Sequence, residues 1–483
     1  MNEHSAKTQR GIKWSLLDQI SKQFVTILLS AILSRLILPN EFGILGMVTI
    51  AVGFLQILRD AGLGASVIFK KEITNTELNS IFWVNVILGT FCAAVLFMSA
   101  DFLAAYYEED ILSGIVKVIS VTFIIGGAGI VPEALIQKRL DFKSYFFRNL
   151  VVSILSGAVG IYFAYLNYGV WALVIQQIVM ISLNTIVNFY IAKWKPALEL
   201  NLNVLKPHLK YSLPLLGDNS LNYWVRNLDN LLIAKTLGAT SLGLYNRAYS
   251  LMMLPIRQIS ATFTRVLFPS FSIIQDNHPL IWSQYGKLIS VIATVTFPLM
   301  LLLGIYAHPI IRVLYGENWL GIVPIFQVLC ALGALQAIGT LSGAIYNAIG
   351  KTALMFKIGL VVKTFLIISF LIGINLGGIM GLVWAYLIAS TFGFIIESYY
   401  VSRSLGKNIL EFFGFFYNEM LAIVLAAIIP LITYWYFEDV LTNILSLLLN
   451  IIAVAICLII YFKILQLRKT QGLQLALSKL RKK

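Results

Sequence analysis

Residues 209–235, LKYSLPLLGDNSLNYWVRNLDNLLIAK, form a long apolar stretch that polar side chains interrupt at regular intervals. Asp218, Asn222, Arg226 and Asp229 recur at spacings of four, four and three, so a helix would place all four on one stripe. A charged side chain that faces lipid costs roughly 2.5–3.5 kcal/mol in an inserted helix. The stripe is therefore predicted to face protein or a water-filled cavity.

The composition indicates that this stretch lies in a polytopic membrane protein. Of the 483 residues, 59% are hydrophobic and only 12% are charged, whereas a soluble domain carries about 25% charged residues. Apolar stretches of about 20 residues, the length that crosses a bilayer core, recur along the whole chain. Such long, uniform stretches are helices rather than barrel strands. They predict an all-α polytopic membrane protein with about fourteen transmembrane helices.

The charge pattern predicts the orientation of these helices. The net charge of +14 comes from basic connections between apolar stretches, and these alternate with short acidic connections. One basic connection is predicted to contain Lys138, Arg139, Lys143 and Arg148. The positive-inside rule then places both termini in the cytoplasm. The basic residues are expected to contact membrane lipids rather than nucleic acid.

The residue types needed for catalysis or metal binding do not form recognisable motifs. Cys92, Cys330 and Cys457 all fall inside apolar stretches, and the four histidines are scattered along the chain. Neither spacing matches a disulfide framework or a zinc site. We therefore expect no metal, no cofactor and no enzymatic activity.

An internal repeat organises the chain. The residues that a shift of 200 positions superposes are Asp18 and Asp218, Arg35 and Lys235, and Gly43 and Gly243. The shift predicts an N-lobe at residues 1–200 and a parallel C-lobe at 201–405. Two further helices at 406–465 and a basic cytoplasmic tail at 466–483 would follow. Parallel repeats of this kind typically enclose a substrate site between the two halves.

Other polar residues also fall inside predicted spans. The first span carries Asp18 and Lys22, and the second carries Arg59 beside Asp60. Arg257 is a further member, and the shift aligns it within two residues of Arg59. The others are Lys363 and a polar face formed by Gln177, Asn184 and Asn188. Guanidinium and ammonium groups bind phosphates, and amides and aromatic faces suit sugars. This combination favours a substrate with a phosphate-bearing head, sugars and a lipid tail.

These residues predict two sets of functional side chains. The candidates for substrate binding are Arg59, Arg226, Arg257, Lys363 and Asn222, and those for ion coupling or gating are Asp18, Asp218 and Asp229. Two structural alternatives remain. Asp218, Arg226 and Asp229 could be a self-neutralising set that joins two helices, and Arg59 with Asp60 could be an interfacial pair that reaches the headgroups.

Three stretches resemble a known family. Residues 33–72, LSRLILPNEFGILGMVTIAVGFLQILRDAGLGASVIFKKE, resemble the first two helices of bacterial polysaccharide exporters. Residues 242–255, LGLYNRAYSLMMLP, and 314–329, LYGENWLGIVPIFQVL, are also similar to that group. These exporters are the flippases for O-antigen, colanic acid and teichuronic acid repeat units in the multidrug/oligosaccharidyl-lipid/polysaccharide exporter superfamily.

The resemblance implies a two-lobe transporter with a central cationic cavity. It would flip undecaprenyl-diphosphate-linked oligosaccharide by alternating access during surface polysaccharide and lipopolysaccharide biosynthesis. Polysaccharide polymerases and glycosyltransferases would be its partners. An ion-coupled multidrug exporter, with Asp218 and Asp229 carrying the ion, is the alternative on the same fold. A membrane-embedded polymerase or ligase is disfavoured because no long outer loop is present to build its site.

Overall fold

The computed structural model describes residues 3–139, 141–437, 444–468, 470 and 472–474. Within these ranges, the side chains of residues 3–13, 16, 207, 209–215, 218, 221, 225, 258–270, 272, 436–437, 444–449 and 451 are not described. The described part of the chain is helical and contains no strand. Its α-helices are α1 (Glu3–Leu36), α2 (Pro39–Asp60), α3 (Leu63–Phe69), α4 (Asn75–Met98), α5 (Ala100–Tyr107), α6 (Ile111–Lys138), α7 (Phe142–Tyr165), α8 (Val170–Ala192), α9 (Lys206–Ile273), α10 (His278–Ile305), α11 (Ala307–Tyr315), α12 (Ile322–Gly339), α13 (Ser342–Ala348), α14 (Thr352–Ser404), α15 (Ile409–Gly414), α16 (Tyr417–Ala426), α17 (Ile428–Phe437) and α18 (Ile444–Leu467).

The predicted all-α polytopic membrane fold is confirmed. Within the described residues, nine helical segments are long and apolar enough to cross a bilayer. One of them, α14, contains two helices that join at Gly377 and Gly378, and α9 likewise contains a kink at Gly238. The total of fourteen spans stays a prediction.

The chain divides into two compact units. Unit 1 comprises Met1–Leu244 and Leu314–Trp319, and unit 2 comprises Tyr245–Val313 and Leu320–Lys483. The lobes predicted from the repeat, at residues 1–200 and 201–405, stay a prediction.

Local sequence signals set the starts of α2 and α4. Pro39 occupies the first position of α2, where its missing N–H costs nothing. Glu41 Oε2 accepts a hydrogen bond from the backbone N–H of Leu38, at 3.2 Å. At the start of α4, Thr74 and Glu77 form a capping box, with Thr74 Oγ1 accepting from Glu77 N at 3.3 Å.

Two apolar clusters bound the middle of unit 1. One cluster packs Leu33 of α1 and Ile37, which follows that helix, against Ala172 and Leu173 of α8. The other gathers buried side chains of α3, α4 and α6 around Ala192, at the opposite end of α8. The stretch of α8 between these clusters carries polar side chains, including Asn184 and Asn188.

Glycines allow α2 and α9 to approach at backbone distance within unit 1. A Cβ at Gly43 would lie 1.7 Å from the carbonyl oxygen of Ala239, and a Cβ at Gly243 would lie 2.1 Å from that of Pro39. Residues 39 and 239, like 43 and 243, are 200 positions apart, so the two contacts are reciprocal. The contact between Thr240 Oγ1 and Asn40 Oδ1, at 3.3 Å, joins another pair with this separation. Such reciprocity is the geometry expected of a pair of helices related by a two-fold axis.

The short segment Leu314–Trp319 belongs to unit 1 through Trp319. The Trp319 side chain is fully buried, and its Nε1–H donates to the carbonyl oxygen of Ser34 at 2.6 Å. Its ring also packs edge-on against Phe42, with the centroids 5.3 Å apart. This segment is thereby fixed to the ends of α1 and α2.

Unit 2 contains a buried polar contact and an apolar cavity. The carboxyl of Glu419 in α16 is fully buried, and its Oε1 accepts a hydrogen bond from Ser290 Oγ of α10. The backbone N–H of Gly472 donates to the same Ser290 hydroxyl at 2.8 Å. The apolar cavity, of about 630 Å³, lies among α10, α12, α14, α16 and α17.

Replacing Gly43 or Gly243 by alanine should destabilise the protein, because each new methyl group would overlap a backbone carbonyl that cannot turn away. Overpacking of this kind costs about 1–3 kcal/mol. The measurement is thermal unfolding of the purified protein in detergent, followed by tryptophan fluorescence.

Gly359→Ala is the matched control, because no described atom outside its own helix lies within 4 Å of the added Cβ. Alanine at that position should stabilise the helix slightly. Equal unfolding temperatures for Gly243→Ala and Gly359→Ala would contradict the close approach.

Candidate functional site

A polar cavity of about 410 Å³ lies inside unit 1, and we call it the unit 1 cavity. Helices α1, α2, α6, α7 and α8 supply its walls, and its volume is typical of small-molecule sites. Its polar lining residues are Lys22, Gln56, Arg59, Asp60, Glu133, Tyr145, Arg148, Asn149, Ser153, Asn184, Thr185 and Asn188. The polar lining residues on α8, which are Asn184, Thr185 and Asn188, lie between the two apolar clusters along that helix.

Arg148 of α7 organises one wall of the unit 1 cavity. Its side chain is buried, and Nε and Nη2 donate to Asn149 Oδ1 at 3.1 and 2.7 Å. Nη1 donates to Asn188 Oδ1 of α8, and the guanidinium carbon lies 4.2 Å from the Tyr145 ring centroid. Asn149 Nδ2 in turn donates to Asp18 Oδ1 of α1 at 2.8 Å. This network ties α1, α7 and α8 together.

Glu133 of α6 adds a carboxylate to this wall. Its Oε1 accepts a hydrogen bond from the Tyr145 hydroxyl at 3.2 Å and lies 3.6 Å from Arg148 Nη2. The contact to Arg148 is longer than a direct charge-assisted hydrogen bond. Glu133 therefore retains hydrogen-bonding capacity towards the cavity.

Arg59 and Asp60 form an ion pair at the end of α2. Arg59 Nε and Nη2 both donate to Asp60 Oδ1, at 2.9 and 2.7 Å. The Arg59 side chain is only 13% exposed, whereas that of Asp60 is 54% exposed. A Cβ at Gly126 of α6 would lie 2.2 Å from Arg59 Nη1, so the guanidinium rests against this glycine.

Lys22 of α1 is the third cation in the lining. It is exposed, and its ammonium makes no ion pair or hydrogen bond with any other residue that the structure describes. The lining therefore contains two neutralised cations, Arg59 and Arg148, and one whose charge is available to a ligand.

The structure places the predicted site residues in several environments. Arg59 lines the unit 1 cavity, and Asp18 contacts it through Asn149. In the unit 1 part of α9, Asn222 is half-buried, Arg226 is exposed and Asp229 is buried, with Asp229 Oδ1 accepting from Asn230 N at 2.8 Å. The side chain of Asp218 lies outside the described residues.

The remaining two candidates belong to unit 2. Arg257 is exposed on α9. Lys363 is exposed in the first helix of α14 and interacts electrostatically with Glu397 in the second. Glu397 lines a separate cavity of about 290 Å³.

The prediction that Arg148 belongs to a basic connection is wrong. It lies inside α7, which begins at Phe142 because Asp141 caps the helix by accepting from Ser144 N at 3.2 Å. Sequence reasoning also missed Glu133 and Asn149 as site residues. Asn188 on the polar face of α8 was the available signal, because a buried amide requires a hydrogen-bond partner, which Arg148 supplies.

Comparison with known proteins identifies relatives over most of the chain. The family described as "Polysaccharide biosynthesis protein" matches residues 32–324. "Lipopolysaccharide biosynthesis protein WzxC" of Escherichia coli (strain K12) is 30% identical over 404 residues, which cover 82% of this chain and 80% of that protein. "Teichuronic acid biosynthesis protein TuaB" of Bacillus subtilis (strain 168) is 27% identical over 405 residues, covering 83% and 84%.

Solved structures share the fold at low sequence identity. "Lipid II flippase MurJ, inward closed conformation" matches with a TM-score of 0.70 and 16% identity, covering 94% of this chain and 99% of that one. An inward-facing "multidrug resistance MATE family transporter of the MOP superfamily" matches with a TM-score of 0.58 and 14% identity, covering 80% and 95%. The chain thus has the fold of these transporters. The family model matches residues 32–324, and a relative covered along most of its length is 30% identical. The chain therefore belongs to the polysaccharide biosynthesis protein family.

Proposed function

We propose that this protein flips undecaprenyl-diphosphate-linked oligosaccharide repeat units across the bacterial cytoplasmic membrane, by alternating access, for surface polysaccharide biosynthesis. Both termini would lie in the cytoplasm, as the basic connections predict. The observation that carries the proposal is the unit 1 cavity, which combines charges, amides and hydroxyls inside a bundle of apolar helices.

The physical need for such a cavity is direct. A head group of phosphates and sugars cannot cross about 30 Å of hydrocarbon without losing its hydration. Ionisable side chains at this depth are themselves expensive, so they are typically retained where they serve a transport path. The unit 1 cavity would replace water around the head group while the lipid tail stays in the bilayer.

The names of the relatives support this substrate class. WzxC is a lipopolysaccharide biosynthesis protein, TuaB is a teichuronic acid biosynthesis protein, and MurJ is a lipid II flippase. Glycosyltransferases would supply the substrate on the cytoplasmic face, and a polysaccharide polymerase would consume the product on the other face.

Within the unit 1 cavity, Lys22 and Arg59 would contact the anionic part of the head group. Lys22 is paired with no residue that the structure describes, and Arg59 keeps Nη1 for a ligand because Nε and Nη2 donate to Asp60. We also retain Asn222, Arg226, Arg257 and Lys363 as proposed substrate contacts, and Asp18, Asp218 and Asp229 as proposed ion-coupling or gating groups.

Deleting the gene should cause lipid-linked repeat units to accumulate and surface polysaccharide to disappear, because assembled units would be trapped on the cytoplasmic face. The measurement is mass spectrometry of extracted lipids, together with assays of surface polysaccharide and of dye efflux. Normal polysaccharide with reduced dye efflux would contradict the proposal and favour a multidrug exporter.

Gly126→Ala should reduce polysaccharide export about tenfold, because the methyl group displaces the Arg59 guanidinium. Tenfold corresponds to about 1.4 kcal/mol, close to the lower end of the range for a hydrogen bond to a charged group. The measurement is complementation of the deletion strain at matched expression, with Gly359→Ala as the control.

A double-mutant cycle makes this test specific for Arg59. In an Arg59→Ala background, adding Gly126→Ala should have no further effect on export, because the displaced group is already gone. Additive losses would mean that Gly126 does not act through Arg59.

A further inference from the structure

We propose that Glu133, Asn184 and neighbouring groups of the unit 1 cavity form a subsite for uncharged sugar rings, distinct in its chemistry from the contacts that hold the diphosphate. This inference rests on the proposed flippase function and assigns one part of the head group to named residues. It follows from the donors and acceptors that the cavity leaves without partners.

The charge balance of the lining does not favour a diphosphate alone. Lys22, Arg59 and Arg148 are opposed by the carboxylates of Asp60 and Glu133, and a diphosphate carries more than one negative charge. Phosphate oxygens only accept hydrogen bonds, so they would be repelled by these carboxylates. Sugar hydroxyls both donate and accept, and can therefore pair with a carboxylate and a cation in the same cavity.

Arg148 is committed to the protein. Its Nε, Nη1 and Nη2 all donate to the side-chain amides of Asn149 and Asn188, and its side chain is only 4% exposed. Reaching a phosphate would require breaking these bonds inside a buried site, which is costly. Arg148 is therefore a positioning residue that fixes the wall on which the sugar subsite is built.

Other polar groups in the lining are available to a ligand. The side chains of Gln56, Ser153 and Asn184 hydrogen-bond to no residue that the structure describes. Glu133 Oε1 accepts a hydrogen bond from the Tyr145 hydroxyl. Glu133 Oε2 has no hydrogen-bond partner among the described residues. Amides, a hydroxyl and a carboxylate supply the mixture of donors and acceptors that the hydroxyls of a sugar ring require. The volume of about 410 Å³ leaves room for such a ligand.

The test uses the purified full-length protein in nanodiscs and two probes that separate sugar from phosphate. The first probe is the free oligosaccharide released by mild acid from the lipid-linked units of the deletion strain, and the second is farnesyl diphosphate. Binding is measured by tryptophan fluorescence for the wild type and for Glu133→Gln, Asn184→Ala and Lys22→Gln.

Glu133→Gln and Asn184→Ala should each weaken oligosaccharide binding about tenfold, equivalent to about 1.4 kcal/mol, and leave farnesyl diphosphate binding unchanged. Lys22→Gln should show the opposite pattern. Asp110→Asn and Asn375→Ala, which change exposed side chains of the same types elsewhere, should affect neither probe. Asn184→Ala removes a side chain that hydrogen-bonds to none of the described residues, so folding should be unaffected, and thermal unfolding verifies this for each variant.

Two outcomes would overturn the inference. One is an oligosaccharide affinity that is the same in Asn184→Ala and the wild type, or undetectable in the wild type. The other is a parallel loss of both probes in Glu133→Gln. If either occurs while the deletion strain still accumulates lipid-linked units, the flippase function stands and only the sugar subsite is wrong.

Discussion

The satisfaction of charge inside an apolar helix bundle is the constraint on which unit 1 depends. An unpaired guanidinium in such a place would cost several kcal/mol. Arg148 avoids this cost because the amides of Asn149 and Asn188 accept its hydrogen bonds and the Tyr145 ring covers one face. The same bonds join three helices. A polar cavity can therefore persist between apolar clusters, with Lys22 as a cation that the described protein groups leave for a ligand.

The fold was largely predictable from the sequence, because apolar stretches of membrane-spanning length have few alternative structures. The cavity was predictable only in part. Arg59 and Lys22 interrupt predicted spans, whereas Arg148 follows several basic residues near a predicted helix start, a pattern typical of a connection. The Asp141 cap places this arginine inside α7, and its hydrogen bond to Asn188 places it against α8. Long-range pairing of this kind leaves little trace in local composition.

The 200-residue shift illustrates what a weak sequence signal can and cannot reveal. The shift aligns Gly43 with Gly243, but nothing in the sequence indicates that each glycine packs against a backbone carbonyl of the other helix, α9 or α2. The reason is steric, since only glycine admits a carbonyl at that distance. By contrast, Asp18 is bound by an amide of α7, which makes its role as a proposed coupling group depend on that hydrogen bond.

The central claim is that the head group of the substrate occupies the unit 1 cavity, and labelling of that cavity tests it most directly. Ser153 lines the cavity, and the three native cysteines, all buried, can be replaced to give a cysteine-free background. Ser153→Cys in proteoliposomes should react with a charged maleimide, and lipid-linked repeat units from the deletion strain should slow that reaction severalfold. An unchanged labelling rate at saturating substrate would contradict the account.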